Sequence, residues 1–143
     1  MPRPPKRAIG VDLGTKRIGI AISPADAAVA VPYEVLNRSG DRARDHRALA
    51  GMVADVGAEV VVVGLPMSLD GSEGPAAVAA RTEAGEISAA LGASVRVEMY
   101  DERFTTVTAD QMLASQGVKG PARRKIIDKV AAAVILQSWL DGQ

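Results

Sequence analysis

The chain has no cysteine, one histidine and four aromatic residues (one tryptophan, two tyrosines, one phenylalanine) in a length of 143. Without cysteine there are no disulfides, no thiolate zinc site, no iron–sulfur cluster and no cysteine nucleophile. His46 alone cannot build an imidazole metal site, so any bound metal takes carboxylate ligands, the preference of Mg²⁺ and Mn²⁺. The scarcity of aromatics speaks against reading single strands by base stacking. No apolar run approaches the ~18 residues of a membrane span. The basic start, Met1 to Arg7, leads into an apolar stretch broken by Asp12, unlike a secretory signal. These absences suggest a cytoplasmic protein with no membrane partner.

Charge balances overall, with 17 basic and 17 acidic residues, but it is unevenly spread. Residues 1–47 carry nine bases against five acids, and residues 48–100 carry two against seven. Further on, Lys119, Arg123, Arg124, Lys125 and Lys129 crowd around one acid, Asp128. Such a cluster is either a solvated helix face or a set of phosphate contacts. A hydrophobic content of 48% with 24% charged residues is that of a folded chain rather than a disordered one. This length buries roughly two-thirds of the unfolded surface, so no staples are needed. The expected organisation is a flexible basic tail over residues 1–6 and a single domain over 7–143.

Arg7 to Gly14 and Arg17 to Ser23 read as two strands joined by a Gly-Thr-Lys turn. Val29 to Leu36 reads as a third strand, confined by Pro32 to an edge or a bulge. Asp41 to Val56 has helical spacing, with Ala43, Leu49, Met52, Val53 and Val56 inward and the arginines outward. Glu59 to Gly64 is a continuous branched run, the pattern of a strand covered on both faces. A polar loop from Leu65 to Gly74 precedes a helix starting at Pro75, where proline suits the first helical position. Ser94 to Tyr100 alternates as a fifth strand, and helices are expected over about 105–116 and 123–141. The order strand-strand-strand-helix-strand-helix-strand-helix-helix predicts an α/β fold, a five-stranded mixed sheet with helices on both faces. In such sheets functional groups gather beyond the carboxyl ends of the parallel strands.

Three carboxylates stand out against this frame. Asp12 interrupts the apolar strand Ile9-Gly-Val-Asp-Leu13. Burying it is costly unless it bonds the Gly14–Thr15 amides, pairs with a cation or binds a metal. Glu102 directly follows the fifth strand, either as a surface acid beside Arg103 or as part of a site. Asp128 falls within the helical arc of Ala131, Ile135 and Trp139, as an interior salt-bridge partner or as a ligand. Together, three carboxylates at one end of the sheet suit one or two hard cations of the Mg²⁺ type, which activate water in phosphodiester cleavage. Lys16, Arg17, Arg123, Arg124 and Lys125 are then candidates for the phosphates of a nucleic-acid strand.

At these residues the chain resembles a known family. Gly10-Val-Asp-Leu-Gly-Thr-Lys-Arg-Ile-Gly-Ile-Ala21 is similar to the opening motif of the YqgF/RuvX family, and Gly64-Leu-Pro-Met-Ser-Leu-Asp-Gly71 to its second. Asp101-Glu-Arg-Phe-Thr-Thr-Val-Thr-Ala109 is similar to its third, and Ile127 to Asp141 to its closing helix. The motifs occur in order and span about residues 7–141. The resemblance implies an RNase H-like fold and a nuclease that matures the 5′ end of pre-16S rRNA. A Holliday-junction resolvase, or other structure-specific DNA endonuclease, is the alternative. It implies that Asp12, Glu102 and Asp128 are the catalytic acids that bind Mg²⁺ or Mn²⁺. It also implies that Gly14, Thr15 and Lys16 lie beside the site and Asp70 on a mobile loop near it. RuvC-type resolvases, on the same resemblance, carry paired acids one turn apart in the last helix. Here the position three before Asp128 is Lys125, so a four-acid site is incomplete.

Other readings carry less. A junction resolvase needs a dimer, and no dimer face is visible, so monomer and homodimer both stay open. The Asp12 to Thr15 turn also resembles a phosphate loop of actin-like and sugar-kinase ATPases, but those need two lobes and this length supplies one. A non-catalytic nucleic-acid-binding module would keep the basic clusters without the chemistry. His46, among Arg42, Arg44, Asp45 and Arg47, reads as a solvated helix residue. Trp139 and Met112 read as core, and Arg81 and Arg103 either touch phosphate or form salt bridges.

Overall fold

The computed structural model describes residues 7–24, 28–103 and 121–143, with side chains from residue 126 onward in the last stretch. The expected tail over 1–6, the expected helix over 105–116 with Met112, and the side chains of Arg123, Arg124 and Lys125 lie outside the described residues. Five strands, β1 (Ala8–Leu13), β2 (Arg17–Ser23), β3 (Val31–Asn37), β4 (Val60–Leu65) and β5 (Arg96–Asp101), form one sheet in the order β3-β2-β1-β4-β5. The pairs β1–β2 and β2–β3 are antiparallel, while β1–β4 and β4–β5 are parallel. Pro32 sits where the sequence places it. β3 is an edge strand, and its register against β2 shifts between Ile20 and Ala21, opposite Glu34 and Pro32.

Three helices are described: α1 (Arg42–Val56), α2 (Pro75–Leu91) and α3 (Pro121–Asp141). Asp41 caps α1 by accepting from the Arg44 amide at 3.2 Å, and Gly57 ends it in the left-handed conformation that glycine adopts at least cost. Pro75 stands at the start of α2. None of the described helices is long and apolar enough to cross a membrane.

Alternation along the strands divides the core. Ile9, Val11, Ile18, Ile20, Val61 and Val63 meet Leu49 and Val53 of α1 and Ala84 and Ile87 of α2. Ala8, Ala21, Val60 and Val62 meet Ala132, Ile135, Leu136 and Trp139 of α3 on the other face. The valine run of β4 is thus covered on both sides. Each fully buried side chain of this size contributes roughly 1.5–3 kcal/mol of transfer free energy.

Two readings of α1 need correction. Ala43 is exposed, whereas His46 and Asp45 are buried. The buried stripe runs His46, Leu49, Val53 and Val56, and Ala43 lies ~100° round from its centre. His46 is not solvated because α1 packs on α2 with the imidazole against Glu83.

Glycines on β1 and β2 let α3 lie close on the sheet. A Cβ on Gly10 would sit 2.7 Å from both the Ala132 carbonyl and the Leu136 Cβ, and one on Gly19 would overlap the Asp128 carbonyl. Gly19→Ala therefore forces α3 outward and is expected to cost about 1–3 kcal/mol in urea unfolding. Gly51→Ala, on the open face of α1 with no atom near its Cβ, is expected to stabilise by up to ~1 kcal/mol. A neutral Gly19→Ala would show that this close approach is unnecessary.

Candidate active site

Asp12 is the penultimate residue of β1 and points to the α3 face, two positions on from Gly10. Its carboxyl is largely shut off from water. Burial, and then the negative charge of Asp128, push its pKa up to about 6. Glu102 follows β5, and its amide donates to the Leu65 carbonyl at 3.1 Å, extending the parallel ladder by one step. The Glu102 side chain lies across Gly64 of β4, where a Cβ would overlap its carboxylate. Burial, and then the charges of Asp12 and Asp101, raise the Glu102 pKa to about 7. The two acids from the first and last strands are therefore electrostatic neighbours, as expected at the carboxyl ends of β1 and β5.

Asp128 joins them from α3, seated over Gly19, and it acts on the Asp12 carboxyl. It is also an interior salt-bridge partner: Arg17 Nε donates to its Oδ2 at 2.5 Å. Arg17, expected to meet phosphate, is engaged by this carboxylate. Among the described residues, no three acidic or imidazole side chains close into a ready-made metal cage.

Beyond the ends of β1 and β4 opens a crevice of about 650 Å³, bounded by Asp12 and Glu102, the turn residues Gly14 to Lys16, Arg38 and the α2 residues Ala76 to Glu83. Gly14, Thr15 and Lys16 line the same crevice as Asp12 and Glu102. Asp70 does not line the crevice. It closes a local turn, accepting from the Ser72 amide at 2.9 Å and the Ser72 hydroxyl at 2.6 Å. Arg81 pairs with Glu73 and Arg103 with Asp101, both as salt bridges.

At the far end of this crevice lies a group that the sequence does not single out. Arg38 forks onto Glu83 at 2.8 and 2.9 Å, and His46 Nε2 donates to the same Glu83 carboxylate at 2.7 Å. Burial raises the Glu83 pKa, but the bonds from Arg38 and His46 and the charges of Arg38 and Arg42 outweigh it and hold it below the usual range. The available signal was the place of His46 on the apolar stripe of α1.

The raised carboxyls couple the metal-free fold to pH. A folded state that holds Asp12 and Glu102 protonated binds more protons than the unfolded chain between about pH 4 and pH 7. That stabilisation is present at low pH and lost as pH climbs through the folded values. In EDTA, the melting temperature is expected to fall by about 5 °C from pH 5 to pH 8, and less steeply in Asp12→Asn. Equal slopes in the two proteins would contradict the assignment.

The family model described as RuvX, Holliday junction resolvase, matches residues 6–142. A protein of Nocardioides sp. (strain ATCC BAA-499 / JS614) named as a pre-16S rRNA nuclease is 49% identical over 136 residues, covering 93% of this chain and 86% of its own. Another so named, from Mycobacterium sp. (strain KMS), is 45% identical over 135 residues, covering 94% of this chain and 79% of its own. Among solved structures, T. thermophilus RuvC in complex with Holliday junction substrate aligns with a TM-score of 0.55 at 16% identity, over 95% of this chain and 94% of that one. That likeness is one of fold, and it agrees with the RNase H-like architecture of the sheet.

Proposed function

From the membership of this chain in the RuvX family, which the match over nearly its whole length shows, we propose a metal-dependent nuclease that acts in 5′-end processing of pre-16S rRNA in the cytoplasm. The observation that carries this reading is the apposition of Asp12 and Glu102, half-buried and in electrostatic repulsion at the carboxyl ends of parallel strands. Nuclease activity and rRNA as substrate follow the names of relatives that align over most of their length.

The donor set fits a hard divalent cation. It is all oxygen, it has no cysteine and no histidine in reach, and Arg17 engages Asp128. Asp12, Glu102 and Asp128 are the residues that would hold Mg²⁺ or Mn²⁺. When bound, the ion supplies activation of a water and neutralisation of charge at the scissile phosphate.

The chain's own groups do the rest. Gly64 and the Leu65 carbonyl fix Glu102 from beneath and behind, so its carboxylate stays beside Asp12. Arg17 holds Asp128 on the same side. Lys16, exposed on the rim of the crevice, is placed to take a phosphate of the incoming strand. Arg123, Arg124 and Lys125 belong to the opening turns of α3, ahead of Asp128, and are taken as further phosphate-binding candidates on their charge and place in the chain.

Cleavage of branched DNA is the second reading, favoured by the family's description as a Holliday junction resolvase. Against it stands Lys125, where the resemblance to RuvC would place a fourth acid.

Purified protein and Asp12→Ala, offered a precursor rRNA 5′ leader and a four-way DNA junction with Mg²⁺, Mn²⁺ or EDTA, separate the readings. The RNA is expected to be cut with either metal, to survive in EDTA and to survive Asp12→Ala. Junction cleavage with the RNA left intact would favour the second reading. A folded Asp12→Ala that cuts like the parent would overturn both.

A further inference from the structure

Arg38, one residue beyond β3, is tied into the turn between β1 and β2 by two bonds. Its amide donates to the Lys16 carbonyl at 2.9 Å and its Nε donates to the Gly14 carbonyl at 2.8 Å. The two remaining guanidinium nitrogens are both spent on Glu83. Glu83 also receives His46, and the Asp45 carboxylate receives the Ser39 amide at 3.1 Å, so α1 and α2 hold Arg38 from both sides. Only 16% of the Arg38 side chain and 8% of Glu83 is exposed.

Stability is a poor reason for such an arrangement. A buried ion pair commonly gains nothing over apolar residues of equal volume, because desolvation offsets the attraction. What a bidentate guanidinium–carboxylate pair does supply is geometry. The geometry here governs one peptide group. All peptide bonds described are trans, so the Gly14 carbonyl and the Thr15 amide point in opposite directions. With the carbonyl turned to Arg38, the Thr15 N–H is turned away from Arg38, and Thr15 lines the same crevice as Asp12. Thr15 is exposed, and its amide donates to no group among the described residues.

We propose that Arg38 is a positioning residue for phosphodiester cleavage, clamping the Gly14–Lys16 turn through Glu83 and His46 so that the Thr15 amide donates to the phosphate facing Asp12. The inference rests on the nuclease reading above. Glu83 and His46 act only through Arg38, and none of the three touches substrate. An amide aimed in advance at a phosphate oxygen stabilises charge developing there without reorganising during the reaction.

Arg38→Lys keeps the charge beside Glu83, but its single nitrogen lacks the planar fork that spans the Gly14 carbonyl and both Glu83 oxygens. On an RNA leader, its kcat is expected to fall roughly 10–100-fold, with KM changed by less than about threefold. Glu83→Ala is expected to give the same split, and the double variant to be no slower than either single one, because both act on one turn. In amide NMR spectra, Gly14, Thr15 and Lys16 should shift in Arg38→Lys while Ala132 in α3 stays in place. Melting temperatures measured alongside show whether the assay temperature lies below every transition. A wild-type kcat in Arg38→Lys, a rise in KM alone, additive losses or unmoved turn amides would each overturn the role of Arg38 while leaving the nuclease standing. Failure of the wild-type protein to cut any RNA would instead overturn the nuclease reading and this role with it.

Discussion

A carboxylate set half-buried on a central strand is the constraint around which this molecule is arranged. Asp12 stands between apolar neighbours on β1, and burial alone makes its ionised form costly. Instead of relieving that cost, the fold adds to it, bringing the charge of Asp128 to bear on Asp12 and that of Asp12 on Glu102 at the same end of the sheet. One cation of the chain, Arg17, is engaged with Asp128, while the Asp12 and Glu102 carboxyls are held well above the ordinary range. Protonation or a bound cation relieves repulsion of this kind, which links the strand order to the chemistry proposed for the site.

Close packing makes that arrangement possible. Gly10, Gly19 and Gly64 are three interior strand positions at which a methyl group would collide with α3 or with the Glu102 side chain. The first two set how deeply α3, and so Asp128, settles over β1 and β2. The third leaves room for Glu102 across β4. On the opposite face the Arg38–Glu83–His46 group ties β3, α1 and α2 to the turn after Asp12. The acids and the turn beside them are thus held from both faces of one sheet.

Much of this was legible in the sequence, for identifiable reasons. The unbroken Val60–Val63 run marked a strand covered twice, and Pro32 marked an edge. Asp12 stood out because it interrupts apolar alternation, and Glu102 because it directly follows a strand. The features that escaped depend on pairing between distant segments. Arg38 and Glu83 lie 45 residues apart, and Arg17 and Asp128 lie 111 apart. No local periodicity announces either pair. His46 reads as solvated because its sequence neighbours are charged, whereas its position three before Leu49 and seven before Val53 puts it on the buried stripe.

The central claim is that Asp12, Glu102 and Asp128 form one cation site, and direct measurement of Mn²⁺ binding tests it without reference to any substrate. Titration of the full chain followed by electron paramagnetic resonance should show saturable Mn²⁺ uptake. Asp12→Asn is expected to weaken it by roughly tenfold or more, with Asp55→Asn, on the exposed face of α1, as the control that leaves it unchanged. Uptake in a folded Asp12→Asn equal to that of the parent chain would contradict the account.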